Sequence, residues 1–403
     1  MVIIKPIFKI KKTLIKFFLF IAAISFTAAC GNTSAQMSNE SESVASESSD
    51  VQITQNQAEE ATSETSNQIA MSTTNTITIR SIGDILIHDF VYNDARTADG
   101  FDFTYMFEPV RPYLENADIT TANLEVLVAG SEYGLSSYPV FNAPAEIIDS
   151  LQDVGVDLVS NATNHTMDFG SSGAHQSISN LQERDMMYVG SYADWQDYNN
   201  LRIIEENGIS VGFLAYADHV NGNYIPEDES YLISLIDSEL MPLEIDYMNQ
   251  QTDFTVVMIH YGEEGQTLPN QNQLVVSSLV RDAGANLIIG THPHALQPAI
   301  SYNDQQAGVY SLGNFLSGQI QIEEKLGGII EFELTKGENE TEISKIRYMP
   351  TYNFGTPSEG GYLVVPLAAW SEYGIPDGEA LFDEISQRIR FYSDKIEVVD
   401  YLD

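Results

Sequence analysis

From Thr76 onward, short apolar runs alternate with helical patterns, and most of the runs break off into glycine, asparagine, aspartate or histidine. The runs are TITIRSIGDILIH (76–88), ADITTANLEV (117–126), VDLVSNA (156–162), ISVGFLAYA (209–217), DFTVVMIHYG (253–262), NLIIGTH (286–292) and GVYSLGNF (308–315). Between them, residues 144–155, 171–185 and 268–285 carry apolar side chains at helical spacing. Strands separated by helices of this length predict an α/β protein with a largely parallel or mixed sheet. GGIIEFELT and EISKIRYMPT predict a late β-hairpin, and residues 378–393 a final helix. No internal repeat is visible, so one domain from about 76 to 403 is the economical reading.

The first 75 residues belong to another class. Lys5, Lys9, Lys11, Lys12 and Lys16 precede an apolar stretch of 13 residues from Phe17 to Ala29, with no acidic residue in positions 1–30. This is the anatomy of a secretory signal peptide, and the stretch is too short to span a bilayer. It ends Thr27-Ala28-Ala29-Cys30, which resembles the bacterial lipobox, with threonine where leucine is usual. Cys30 is the one cysteine of the chain and the expected lipidation site. Residues 31–75 hold no aromatic residue, lysine or arginine. Such a segment buries too little apolar surface to offset its ordering entropy, so 30–75 reads as a disordered tether.

Charge then excludes partners. The chain has 58 acidic against 18 basic side chains, and removal of 1–29 leaves 13 basic ones and a formal charge of −45. A surface this acidic lacks the basic footprint of nucleic-acid binding and is not drawn to anionic lipid. The expected product is a domain on the extracytoplasmic face of a bacterial membrane, tethered by lipid.

Five of the seven histidines fall where a predicted strand gives way to a loop: His88, His165, His260, His292 and His294. Carboxyl ends of strands are where sites assemble in open α/β sheets. Asp84, Asn123, Glu125 and Asn164 are delivered in the same manner. Carboxylate, amide oxygen and imidazole together suit Mn²⁺, Fe²⁺ or Zn²⁺ better than calcium or copper. His175, in a helical pattern, and His219, in a polar loop, read as ordinary hydrogen-bonded residues. Phosphate-loop, nucleophile-elbow and His-Glu-x-x-His patterns are missing.

The ordered blocks Gly83-Asp84, Ala122-Asn123-Leu124-Glu125, Asn161-Ala162-Thr163-Asn164-His165 with Asp168 and Gly170, His260-Tyr261-Gly262 with Glu264, Pro269 and Gln273, Gly290-Thr291-His292-Pro293-His294 with Gln297, and Ser311-Leu312-Gly313-Asn314-Phe315 resemble the CapA family. These are bacterial capsule-synthesis, or poly-γ-glutamate-biosynthesis, proteins. The resemblance covers roughly 77–320. It implies a fold like that of the calcineurin-like metallophosphoesterases, a sandwich of two mixed β-sheets flanked by helices. It also implies a centre of one or two divalent ions. Glu125 would bridge, Asn164, His260 and His292 would serve one ion, Asp84 and His294 the other. His165 would protonate a leaving group. Leu86 stands where that superfamily has a ligand histidine, a gap that His88 would fill from the loop. Within the blocks, Glu264 joins His165 as a catalytic candidate, and Asn123, Gln273 and Asn314 are candidate substrate-binding residues.

The expected role is the synthesis, export or anchoring of an extracellular anionic polymer, with that polymer or its precursors and a membrane synthase complex as partners. A metal-dependent hydrolase of phosphoester or amide bonds, and a non-catalytic scaffold, are the alternatives.

Overall fold

The computed structural model describes residues 75–338 and 340–403. The signal peptide, Cys30 and all but the last residue of the expected tether lie outside the described residues. Among the described residues, no helix is long and apolar enough to cross a membrane.

The chain enters a first sheet through β1 (Asn75–Leu86), β2 (Ile119–Leu124), β3 (Leu158–Ser160) and β4 (Met187–Val189). It then builds a second sheet from β5 (Arg202–Glu206), β6 (Ile209–Ala217), β7 (Phe254–His260), β8 (Leu287–Thr291), β9 (Ala299–Ser301) and β10 (Ala307–Val309). It returns to the first with β11 (Asn314–Ser317), β12 (Leu326–Lys336), β13 (Thr341–Thr356), β14 (Gly360–Pro366) and β15 (Glu397–Val398). The first sheet runs β14-β13-β12-β1-β2-β3-β4, with β11 beside β1 and β15 beside β13; the second runs β5-β6-β7-β8-β10-β9. Strands β1 to β4 are parallel, as are β6, β7, β8 and β10, while the hairpin strands and β5 and β9 are antiparallel. Both sheets are therefore mixed, and the architecture is the expected sandwich of two mixed sheets with helices.

Side-chain alternation explains why the layers stack. In β7, Val256 and Met258 join the large core that also holds Ile79, Ile82, Leu124, Val159 and Ile329 of the first sheet. Val257 and Ile259 face the other way, onto Met241 and Ile245 of the helix Met241–Asn249 and Val276 and Val280 of the helix Gln271–Asp282. A strand buried on both faces reads as a continuous apolar run, which is how TVVMI appears. Each such side chain contributes roughly 1.5–3 kcal/mol by leaving water.

One expected strand is two. GVYSLGNF breaks after Val309: β10 lies in the second sheet between β8 and β9, and β11 pairs with β1 in the first. Gly313, at φ 63°, makes the crossing. Its carbonyl accepts the Asp84 N–H at 2.9 Å, and a Cβ on Gly83 would stand 1.9 Å from that oxygen. Only glycine fits at position 83. The connection between the sheets thus runs directly beneath Asp84.

Candidate metal centre

The parallel strands end at one edge of the sandwich, and the registers show what that alignment delivers. Asp84 lies opposite Asn123 on β2 and Asn314 on β11, and His260 lies opposite Thr291 at the end of β8. The pairing of β1 slips around Asp84 on both neighbours. Such bulges re-aim side chains next to sites. Beyond β8 the backbone turns abruptly: His292 has φ 96° and His294 φ 54°. Neither is a conformation that a histidine adopts cheaply, and strain of this kind concentrates at functional positions.

The result is a compact buried cluster. Glu125, fully buried, lies at its middle, 3.3 Å from His260 Nε2, 3.4 Å from His294 Nε2 and 4.0 Å from His292 Nδ1. Ligand-type atoms of Glu125, His292 and His294 lie within 4.8 Å of one another, as do those of Asp84, Glu125 and His260. Glu125 belongs to both groups, as a bridging acid would. His260 Nε2 is 2.9 Å from Asn164 Oδ1 and 3.1 Å from His292 Nδ1. His294 Nδ1 lies 3.1 Å from Asp84 Oδ2 and 3.0 Å from Asn314 Oδ1.

This set of donors fits a cation. Neither oxygen of Glu125 accepts a hydrogen bond, although both are fully buried. Burial, then the Asp84 and Glu264 charges, push its carboxyl well above the usual range. Burial holds His260 and His292 well below the usual imidazole value, so both are neutral with a lone pair to offer. Burial opposes the charge on His294 too, but the Asp84 carboxylate prevails and raises it. A buried carboxyl with no hydrogen-bond donor, beside two neutral imidazoles, is costly whether it stays charged or takes up a proton, and a positive ion among these groups relieves that cost.

Next to the cluster, His165 Nδ1 lies 2.7 Å from Asp168 Oδ2. Asp168 also accepts the Phe141 N–H at 2.7 Å and the Asn223 amide at 3.4 Å. Phe141 packs edge-on against His165, with centroids 4.7 Å apart. A carboxylate on one ring nitrogen fixes the tautomer and leaves Nε2 for proton transfer. In the sequence Asp168 stands only as a member of the Asn161–His165 block, and its spacing three residues after His165 is the signal of this pairing.

Several expected roles change. The structure does not bring His88 into the cluster: its Nδ1 is spent on backbone, 3.1 Å from both the Gly318 N–H and the Leu86 carbonyl. Its ring packs edge-on to Phe141, and burial lowers its pKa to about 4. Leu86 is itself core. Gln273 is not a substrate contact. It is fully buried, closes the capping box of Gln271–Asp282 with Asn270, and donates to Gln297 at 2.7 Å. Asn314 is buried too; its amide donates to Gln319 and the Glu324 carbonyl, which aims its oxygen at His294. Asn123 lies on the floor, donating to Asp84 at 2.8 Å beside His260 Nδ1 at 3.2 Å. Glu264 is exposed on the loop after β7, close enough to bear electrostatically on Glu125 and His294. That loop is tied to the next, the Gly265 N–H donating to the Pro293 carbonyl at 2.8 Å. His175 pairs with Glu229 at 3.1 Å, as an ordinary surface residue does. His219, by contrast, has its ring edge-on to His292 at 5.5 Å.

Residues 78–319, more than half the chain, match the family described as bacterial capsule synthesis protein PGA_cap. The chain belongs to this family. Among relatives, it is 28% identical over 268 residues to the capsule biosynthesis protein CapA of Bacillus anthracis, covering 64% of each chain. It is 25% identical over 271 residues to the PGA biosynthesis protein CapA of Bacillus subtilis (strain 168), covering 66% of this chain and 70% of that one. The chain thus spans a little under two thirds of the B. anthracis protein. Solved structures similar to it include a putative 5'-nucleotidase from Staphylococcus aureus, at TM-score 0.45 and 13% identity, covering 77% of this chain and 58% of that one. Another is the calcineurin-like phosphoesterase YfkN from Bacillus subtilis, at TM-score 0.42 and 17% identity, covering 69% and 90%. Likenesses this slight carry no argument about chemistry. The cluster lies wholly inside the stretch that matches the family.

Proposed function

We propose that this CapA-type protein is held by a lipid on Cys30 at the outer face of the cell membrane. There it takes part in making, exporting or anchoring an extracellular anionic polymer, working through a divalent ion (Mn, Fe or Zn) at the Glu125 cluster. The observation that carries the metal is the fully buried Glu125 carboxylate, which has no hydrogen-bond donor and faces His260, His292, His294 and Asp84. Asn164, His260 and His292 would hold one side of such a centre, Asp84 and His294 the other, with Glu125 between.

An ion so held supplies polarisation of an acyl or phosphoryl oxygen. The chain's own contribution is positional. Asp168 accepts the Nδ1 proton of His165 and fixes the ring, so Nε2 is the nitrogen that would take up a second proton and pass it to a leaving group. That pair is the specific observation favouring the second reading, a metal-dependent hydrolase of phosphoester or amide bonds. The acidity of the chain sets how a polyanion arrives: a surface of net −45 repels it except where a cation bridges the two. The partners are then the polymer or its precursors and a synthase complex in the same membrane.

The test is restoration of capsule in a deletion strain. Wild type should restore it, and His292→Ala/His294→Ala, present at equal level, should not. Full restoration by the double variant would remove the metal from the function and leave a scaffold.

A further inference from the structure

The segment that follows β6, Asp218-His219-Val220-Asn221-Gly222-Asn223, is short, polar and unclaimed by any role above. Its contacts are not scattered. His219 lies edge-on to His292 at 5.5 Å, Asn221 Oδ1 accepts from Asn164 at 3.5 Å, and the Asn223 amide donates to Asp168 at 3.4 Å. Alternate side chains of one loop thus meet a candidate metal-holding imidazole, a candidate metal-holding amide, and the carboxylate that orients His165. Two features fix the loop in place. The Asp218 N–H donates to the His260 carbonyl at 2.9 Å, and Asn272 donates to the Asp218 carboxylate at 3.2 Å. Val220 is buried in the main core between the two polar positions, and Asn221 and Gly222 take left-handed φ values of 51° and 74° to allow it.

Within this loop His219 is in a different position from every other histidine of the site. His165, His260, His292 and His294 are buried, whereas His219 is exposed. The Asn221 N–H donates to its Nδ1 at 3.3 Å, which leaves the proton of the neutral ring on Nε2. An exposed imidazole with its N–H at Nε2 therefore stands beside His292 at the edge of the buried cluster.

We propose that His219 is a ligand-contacting, specificity-determining residue, its Nε2–H gripping an oxygen of an oxyanion-bearing ligand, phosphate or carboxylate, seated at the Glu125 cluster. The assignment builds on the metal reading in that the cluster is where the ligand sits. His219 neither holds the ion nor transfers a proton, and Asn221 and Asn223 keep its loop in register with Asn164 and Asp168.

Two probes separate the sources of such an oxyanion: inorganic phosphate and a short γ-glutamyl oligomer. Their binding is measured by calorimetry on wild type, His219→Ala and His219→Gln, with metal content and Tm recorded on the same preparations. Loss of one hydrogen bond should weaken at least one probe about three- to ten-fold in His219→Ala. Metal and Tm should stay unchanged, and His219→Gln, which keeps an N–H donor, should recover part of the loss. The probe that weakens identifies the oxyanion. Equal affinity in wild type and His219→Ala would overturn the assignment, as would wild type binding neither probe. Metal lost from His219→Ala alone would also overturn it, making His219 part of the metal's support. Metal absent from wild type would instead overturn the metal reading, and the affinity comparison would still decide the role of His219.

Discussion

Replacing Glu125 by glutamine separates a metal-holding carboxylate from a merely buried one, because the two predict opposite signs. In the metal-free protein the Glu125 side chain is fully buried, neither oxygen accepts a hydrogen bond, and Asp84 adds like charge. An unsatisfied buried polar group costs about 1–3 kcal/mol, and a charged one more. Glutamine is neutral at nearly the same volume and escapes the cost of burying the charge or of taking up a proton to avoid it, so metal-free Glu125→Gln should be more stable than wild type by about that amount. With metal, wild type gains what the variant cannot. At a free concentration of about 100 times Kd, an ion that binds only the folded chain stabilises it by about 2.7 kcal/mol. Unfolding entropy of about 2.1 cal/mol/K per residue, over the roughly 330 residues from 75 to 403, is about 0.7 kcal/mol/K. Each kcal/mol is then worth about 1.4 °C. Scanning calorimetry in EDTA should show Glu125→Gln melting about 1–4 °C above wild type. Saturating Mn²⁺ or Zn²⁺ should raise wild type by about 4 °C and the variant by less than about 1 °C. A variant that melts several degrees below wild type in EDTA would show the carboxylate to be a hydrogen-bonded structural acid and exclude the metal-holding role.

Other consequences follow from particular contacts. His165→Ala should keep its fold and metal and lose about 10²–10⁴-fold of any turnover, with Asp168→Ala losing part of that; capsule restored in full by His165→Ala would remove the catalytic role. Cys30→Ala should release the protein or leave it unprocessed, which fractionation and lipid labelling read; a variant still labelled and membrane-bound would exclude the anchor. Burial raises the Glu244 carboxyl despite hydrogen bonds from Tyr198 and Tyr216. A raised folded value adds stability below the unfolded value, near 4.5, that is lost as pH climbs through the folded one. The Tm of wild type relative to Glu244→Gln should therefore fall between pH 4 and pH 7, and a difference that rose with pH would reverse that sign.

How much of this was legible depends on the range over which each feature is decided. The strands over 209–217, 253–262 and 286–292 were readable because burial on both faces forces continuous apolar runs that end in polar ligand types. GVYSLGNF read as one strand since nothing local announces that Gly313 carries the chain from one sheet to the other. The short β4, β5 and β15 owe their existence to neighbours rather than to their own patterns. At the site, identity of residue type marked Asp84, Glu125, Asn164, His260, His292 and His294, all of which the fold brings together. Direction was hidden. His88 turns to the Gly318 backbone, Gln273 caps its own helix, and Asn314 spends its amide on Gln319 and Glu324. His219 looked like an ordinary loop residue because its proximity to His292 depends on two chain segments more than seventy residues apart.

The central claim is that the lone pairs gathered around Glu125 hold a metal. Elemental analysis by inductively coupled plasma mass spectrometry, on the purified full-length protein and on His292→Ala/His294→Ala, tests it most directly, with circular dichroism confirming that both are folded. One or two Mn, Fe or Zn ions per wild-type chain are expected, and almost none in the double variant. Wild-type protein free of metal after loading, or equal metal in both proteins, would contradict the claim.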